Sequence, residues 1–185
     1  MTTNGMLAYA GSIIIYLQFI VFFTFIILSY ENAKVLLFGG SKDISSEHDA
    51  FIHSCFLSVL TVVVFHFTTS SIRELILTID MNMERLELRQ FFYFMMFVLE
   101  FAAILCLFFL HRLRKCKFSI IAKMVVSLAV ILCMNFVIQY YYRALNDVES
   151  YTPIFKTVTV AVNILTLICI GLVPLANLKK LRLGS

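Results

Sequence analysis

Five long apolar runs, at roughly 7–30, 51–72, 91–110, 119–142 and 154–176, leave this 185-residue chain few ways to fold. Each is long enough to cross a hydrocarbon core about 30 Å thick, which takes about 20 helical residues at about 1.5 Å apiece. The runs are continuous, whereas barrel strands alternate over about ten residues. Inside lipid no water reaches the backbone, and a helix satisfies its N–H and C=O groups within one segment. The expected fold is an all-α polytopic membrane bundle of about five transmembrane helices, a single membrane domain over 1–185. Composition agrees: 61% of residues are hydrophobic and 14% charged, with a mean hydropathy of +0.94, where a soluble domain is about 45–50% apolar.

The connections between runs are short and polar and leave no room for a soluble domain. The stretch 75–90 mixes Leu, Ile and Met with Asp80, Glu84, Arg85, Glu87 and Arg89, which suits an interfacial helix or extensions of its neighbours. Thr152 before Pro153 matches an N-cap and a first-turn proline. Tyr9, Tyr30, Tyr93, Tyr140, Tyr141, Tyr142 and Tyr151 lie near run ends, as interfacial aromatics do. The leading MTTNGM has no positive side chain and the run behind it is too long for an h-region, so no cleavable signal peptide is expected.

Lys and Arg set the expected orientation. Arg112, Arg114, Lys115 and Lys117 crowd the third connection, and Lys179, Lys180 and Arg182 the C-terminus, whereas 143–153 holds only Arg143. The positive-inside rule then puts the C-terminus in the cytoplasm and the N-terminus outside, with Arg73, Arg85 and Arg89 as dissenting charges. The basic loop 112–117 reads as a topology signal that also touches anionic lipid headgroups. The net charge of +4 is explained by these helix ends and does not call for nucleic acid as a partner. The five cysteines contain no C-x-x-C and fall in apolar runs or the basic loop, so neither a disulfide framework nor a metal site is expected, and no cofactor is.

The third run, FFYFMMFVLEFAAILCLFFL, holds one acid, Glu100. Counted from Leu110, Glu100 sits about 15 Å deep, near the midplane, and Gln18 and Asn163 come out at the same level. One carboxyl and two amides thus form an expected polar layer, in which Asn163 bonds near Glu100 and Asn163→Leu costs about 0.6–1 kcal/mol. A second expected layer, about 8–10 Å from the outer boundary, pairs His66 with Asn135. Ser54, Ser58 and Thr61 share one helix face, and close packing of helices is the simpler reading of them. Lys123, a turn inside the fourth run, snorkels to the interface.

An ionisable group at the midplane marks a functional site by default. The leading reading is a channel or transporter subunit linked to ions or protons, with Glu100 as the titrating group and His66 as a relay nearer the outside. Five short helices leave little room for a private aqueous path, so the chain is expected to act as a homo-oligomer or beside another membrane subunit, with the lipid bilayer as partner in any case. The alternative is an assembly or binding subunit of a larger membrane complex. A third reading is a haem-binding redox subunit. His53 and His66 are thirteen apart, which resembles the two-haem arrangement of the cytochrome b family, but no matching pair exists on another helix. Catalysis is not expected, because G-x-S-x-G, H-E-x-x-H and a Gly-rich phosphate loop are all missing.

Overall fold

The computed structural model of the chain describes residues 3–29, 33–39, 44, 46–78 and 84–183, with the backbone alone for 3–10, 33, 34, 38, 77, 173 and 175–183. Its elements are all helices: α1 (Thr3–Leu28), the short α2 (Ala33–Phe38), α3 (Glu47–Thr78), α4 (Arg85–Arg114), α5 (Ile120–Gln139) and α6 (Thr152–Leu183), with a π-helical turn, Tyr140–Leu145, closing α5. Five segments are long and apolar enough to cross a membrane: Gly11–Leu28, Glu47–Ile76, Arg85–Arg114, Ile120–Leu145 and Thr152–Leu172. The chain is an integral membrane helical bundle.

The second and third spans run further than expected. Hydropathy fades before the helix does, and α3 and α4 carry on through charged turns to Thr78 and back to Arg85. The stretch around 75–90 is therefore made of helical extensions at both described ends, with 79–83 outside the described residues. Tyr30 and the side chains of Tyr9, Lys179, Lys180 and Arg182 also lie outside them.

Helix ends are closed by local chemistry. At the start of α3, Ser46 Oγ accepts from the Asp49 N–H at 3.1 Å and Asp49 Oδ2 accepts from the Ser46 N–H at 3.0 Å, a reciprocal capping pair. Ser119 caps α5 by accepting from the Ala122 N–H at 3.1 Å. α4 stops where Lys115 turns left-handed, with φ 51°.

α3 is the central and most buried span, packing on α1, α4, α5 and α6. Its Ser54, Ser58 and Thr61 are buried, as small residues at helix crossings should be. The Phe-rich surface faces outward, with Phe23, Phe94, Phe101, Phe108 and Phe109 exposed to where lipid would lie. Two apolar clusters fill the interior. One, around Phe25, Phe56, Leu107 and Ile170, lies toward the end of the bundle that carries the 112–117 loop, here called the basic face. The other, around Ile76, Met96, Phe136 and Val162, lies toward the opposite, tyrosine face.

The tyrosine face is held by charge pairs. Arg89 pairs with Asp147, and Arg143 pairs with Glu149 and, at 3.3 Å, with Asp147. Gln90 adds a bond to the Ala144 carbonyl at 3.1 Å.

Candidate functional site

Between the two apolar clusters the interior opens into two cavities stacked along the bundle axis. The inner one, about 30 Å³, lies toward the basic face and is lined by Thr61, Ala103, Leu107, Val125 and Thr166 among others. The larger, about 170 Å³, extends toward the tyrosine face past Thr69, Arg73, Phe92, Thr159 and Asn163. Glu100, His66 and Leu132 belong to the walls of both. A carboxyl and an imidazole thus stand at the junction of two chambers, one directed to each side of the bundle.

Glu100 is 8% exposed. Among the described residues nothing donates a hydrogen bond to its carboxyl and no cation pairs with it. The layer expected at its level forms only in part. Asn163 shares the larger cavity with it, but the buried Asn163 Oδ1 has no partner. Gln18, 1% exposed, turns to His66, with Nε2 at 2.8 Å and Oε1 at 3.0 Å from His66 Nδ1. A carboxamide in that position serves either imidazole tautomer, donating to a bare Nδ1 or accepting from a protonated one. His66 Nε2 makes no hydrogen bond to any described residue.

His66 is deeper than its sequence position suggested. With α3 apolar to Ile76, it lies ten residues inside that end, about 15 Å at 1.5 Å per residue. It borders the same cavities as Glu100, and its ring bonds Gln18 rather than Asn135. That side chain fastens α5 to α6, donating to the Phe155 carbonyl at 3.1 Å and Thr159 Oγ1 at 3.0 Å and accepting from Tyr151 OH at 2.8 Å. Gln139 does similar work one turn on, reaching Tyr93 OH at 3.2 Å and Thr152 Oγ1 at 3.1 Å. Asn135, expected in a polar layer with His66, is a strut between α5 and α6, and the imidazole bonds Gln18 instead.

Unpartnered polar atoms concentrate at the cavities. Thr61 Oγ1, Thr69 Oγ1 and Asn163 Oδ1 are buried without a hydrogen-bond partner among the described residues, and all three residues line a chamber. Buried polar groups ordinarily have partners, and those that lack one in the protein point to water or a bound solute. A water needs about 10–15 Å³ of such space, so both chambers have room. The Asn163 expectation therefore reverses. Asn163→Leu should leave stability unchanged or raise it by about 1 kcal/mol, since it removes a buried acceptor that no described residue bonds; denaturation in detergent reads this.

A second polar cluster, at the basic face, escaped the sequence reading. His111, one residue beyond the third apolar run, is 2% exposed. Its Nδ1 donates to the Leu107 carbonyl at 2.8 Å, so its Nε2 accepts from Ser54 Oγ at 2.8 Å, and its ring stacks on Phe118 at 4.0 Å. Ser54 Oγ also accepts the Ser119 N–H at 2.8 Å. Arg114 departs from the expected headgroup role. Its guanidinium turns inward to the Leu36 and Leu37 carbonyls of α2 and to His53 Nδ1 at 3.0 Å, because the carbonyl end of a helix attracts a cation. Arg112, Lys115 and Lys117 remain exposed. The only warning in the sequence was the run of small hydroxyl residues on α3 opposite a loop serine.

His53 and His66, thirteen apart, are thus tied separately through Nδ1 to Arg114 and to Gln18. Among the described residues no group of three or more His, Cys, Asp or Glu side chains converges as a metal site would require.

Fold and site together define an integral membrane bundle with an ionisable interior cavity. No family model matches the chain, nor does any curated protein or solved structure.

Proposed function

We propose that this chain is a proton-linked membrane transporter in which Glu100 takes up a proton from one chamber and releases it to the other. The observation that carries this reading is the shared wall: Glu100 and His66 border both cavities, and no described residue neutralises the acid. A group reachable from two sides in turn is what alternating access requires. His66 on its Gln18 amide is the adjacent relay. Arg73 stands on the wall of the larger cavity, where an incoming ion or solute would first meet charge. Both chambers form within one copy, from α3, α4, α5 and α6 with α1 on the larger, so the path does not require self-association. Catalysis is not part of the proposal. The test is proton flux into liposomes carrying the purified protein under an imposed potential, compared with Glu100→Gln.

The proposed orientation keeps the basic face in the cytoplasm, with the N-terminus outside and the C-terminus inside. The cation count supports it: the basic loop carries Arg112, Arg114, Lys115 and Lys117, whereas 143–153 carries Arg143 alone. The positive-inside rule acts on such loop cations. A Lys115→Cys variant should resist an impermeant thiol reagent added to intact cells and react once they are permeabilised. The neighbouring native Cys116 gives little background, because burial pushes its thiol above the ordinary range and a protonated thiol reacts slowly. Labelling in intact cells would reverse the orientation.

A further inference from the structure

The larger cavity carries one charge of each sign that no described residue neutralises. Glu100 stands at the junction end, without a partner among the described residues. Arg73 stands on the same wall, and its guanidinium makes one hydrogen bond, to Ser70 Oγ at 3.4 Å, and no ion pair among the described residues. Arg73 is two turns beyond His66 on α3, about 10 Å along the axis. Helical side chains tilt toward the helix N-terminus, which on α3 carries the guanidinium back toward Glu100. The same cavity is lined by Thr69 and Asn163, whose Oγ1 and Oδ1 have no hydrogen-bond partner among the described residues. Ile14, Ile15, Met96 and Phe136 give the same cavity an apolar lining.

These groups select among ligands. A hard cation takes about six or more oxygens; of the side-chain oxygens on this wall Thr159 Oγ1 already accepts from Asn135 and Ser70 Oγ from Arg73, which leaves the Glu100 carboxylate, Thr69 Oγ1 and Asn163 Oδ1. An organic cation would satisfy Glu100 and meet Arg73 unfavourably, and an anion would do the reverse. The volume of about 170 Å³ falls below the about 300–1,000 Å³ of pockets for drug-sized molecules. The remaining surroundings of Glu100 do not change its sign: Cys133 on α5 lies within its electrostatic reach, His66 faces it from α3, α1 brings Gln18 to His66, and α6 offers Asn163 and Thr166.

We infer that the cavity takes a small zwitterion of the amino-acid class, with its ammonium on Glu100, its carboxylate on Arg73 and an apolar body against Ile14, Met96 and Phe136. The inference rests on the transport reading of the same cavity and names its solute.

Calorimetric titration of the full chain in lipid nanodiscs tests it, using molecules that share a skeleton: leucine against isopentylamine and 4-methylpentanoate, and 6-aminohexanoate against hexylamine and hexanoate. One of the two zwitterions should bind about tenfold or more tightly than both of its singly charged relatives, the scale of one lost charge-assisted hydrogen bond. Glu100→Gln should erase its advantage over the acid, Arg73→Gln its advantage over the amine, and Arg73→Lys, which keeps the charge if the Gln variant fails to fold, should retain the preference. Equal affinity within each series, or no binding by either zwitterion, overturns the inference. Proton flux, measured without and then with the zwitterion, separates the two readings. Glu100-dependent flux without zwitterion binding removes the solute class alone, whereas zwitterion binding without flux removes transport and leaves the binding site.

Discussion

Glu100→Gln should reduce proton flux in reconstituted liposomes to the level of empty vesicles, while expression, folding and thermal stability stay near those of the parent. The amide keeps the shape of the carboxyl and its capacity to accept hydrogen bonds, but has no proton to release. The surroundings make the substitution mild for the fold, because no described donor bonds to the acid and none is stranded by the change. Placing a charge at a bilayer centre costs about 2.5–3.5 kcal/mol on insertion scales, so an uncharged side chain there is no burden. Glu100→Asp should retain part of the flux with an altered pH profile, since the carboxyl is kept but withdrawn by one methylene. His66→Ala should move the pH profile without ending transport. Flux that is absent in the parent, or unchanged by Glu100→Gln, would make the acid structural and turn the reading to an assembly subunit.

Leu132→Phe should stop flux without touching any ionisable group. Leu132 is buried and belongs to both cavity walls, as do Glu100 and His66. The inner chamber is about 30 Å³, room for about two waters, and a larger ring at its edge fills that space. Overpacking costs about 1–3 kcal/mol where no void exists, and less here because the ring enters one. Leu132→Ala is the opposing control: it widens the junction at a cost of about 2–5 kcal/mol in stability and should preserve flux. Equal flux from parent and Leu132→Phe, measured on protein of matched stability, would show that protons do not pass between the chambers.

Asn163 illustrates how a polar group's depth and its role differ. Its position along the fifth run put it near Glu100, and the larger cavity contains both. Depth was computable because a helix rises by a constant step per residue. Which neighbour the amide would meet was not, since that depends on the rotation of α6 about its axis, set by packing against α1 and α5. The rotations of the other helices likewise decide that Gln18 on α1 meets His66 on α3 and that Asn135 on α5 meets Tyr151 and Thr159.

By itself the sequence determined the class of fold, the number of spans and the presence of an acid deep within one of them, because lipid admits few backbone arrangements and apolar run length measures the span directly. It also marked α3 as an interior helix through Ser54, Ser58 and Thr61, whose small side chains suit close approach. Tertiary structure alone decided that His66 borders the same cavities as Glu100, that His111 and Arg114 turn inward, and that two cavities meet at one carboxyl. The lengths of α3 and α4 exceed their apolar runs, since a helix continues through charged turns when other groups hold its ends, and every depth counted from a run boundary shifts with that extension. Cavities belong to no run of sequence. They are the space left when five helices with unequal side chains pack around Leu132, and only the assembled bundle determines where that space lies.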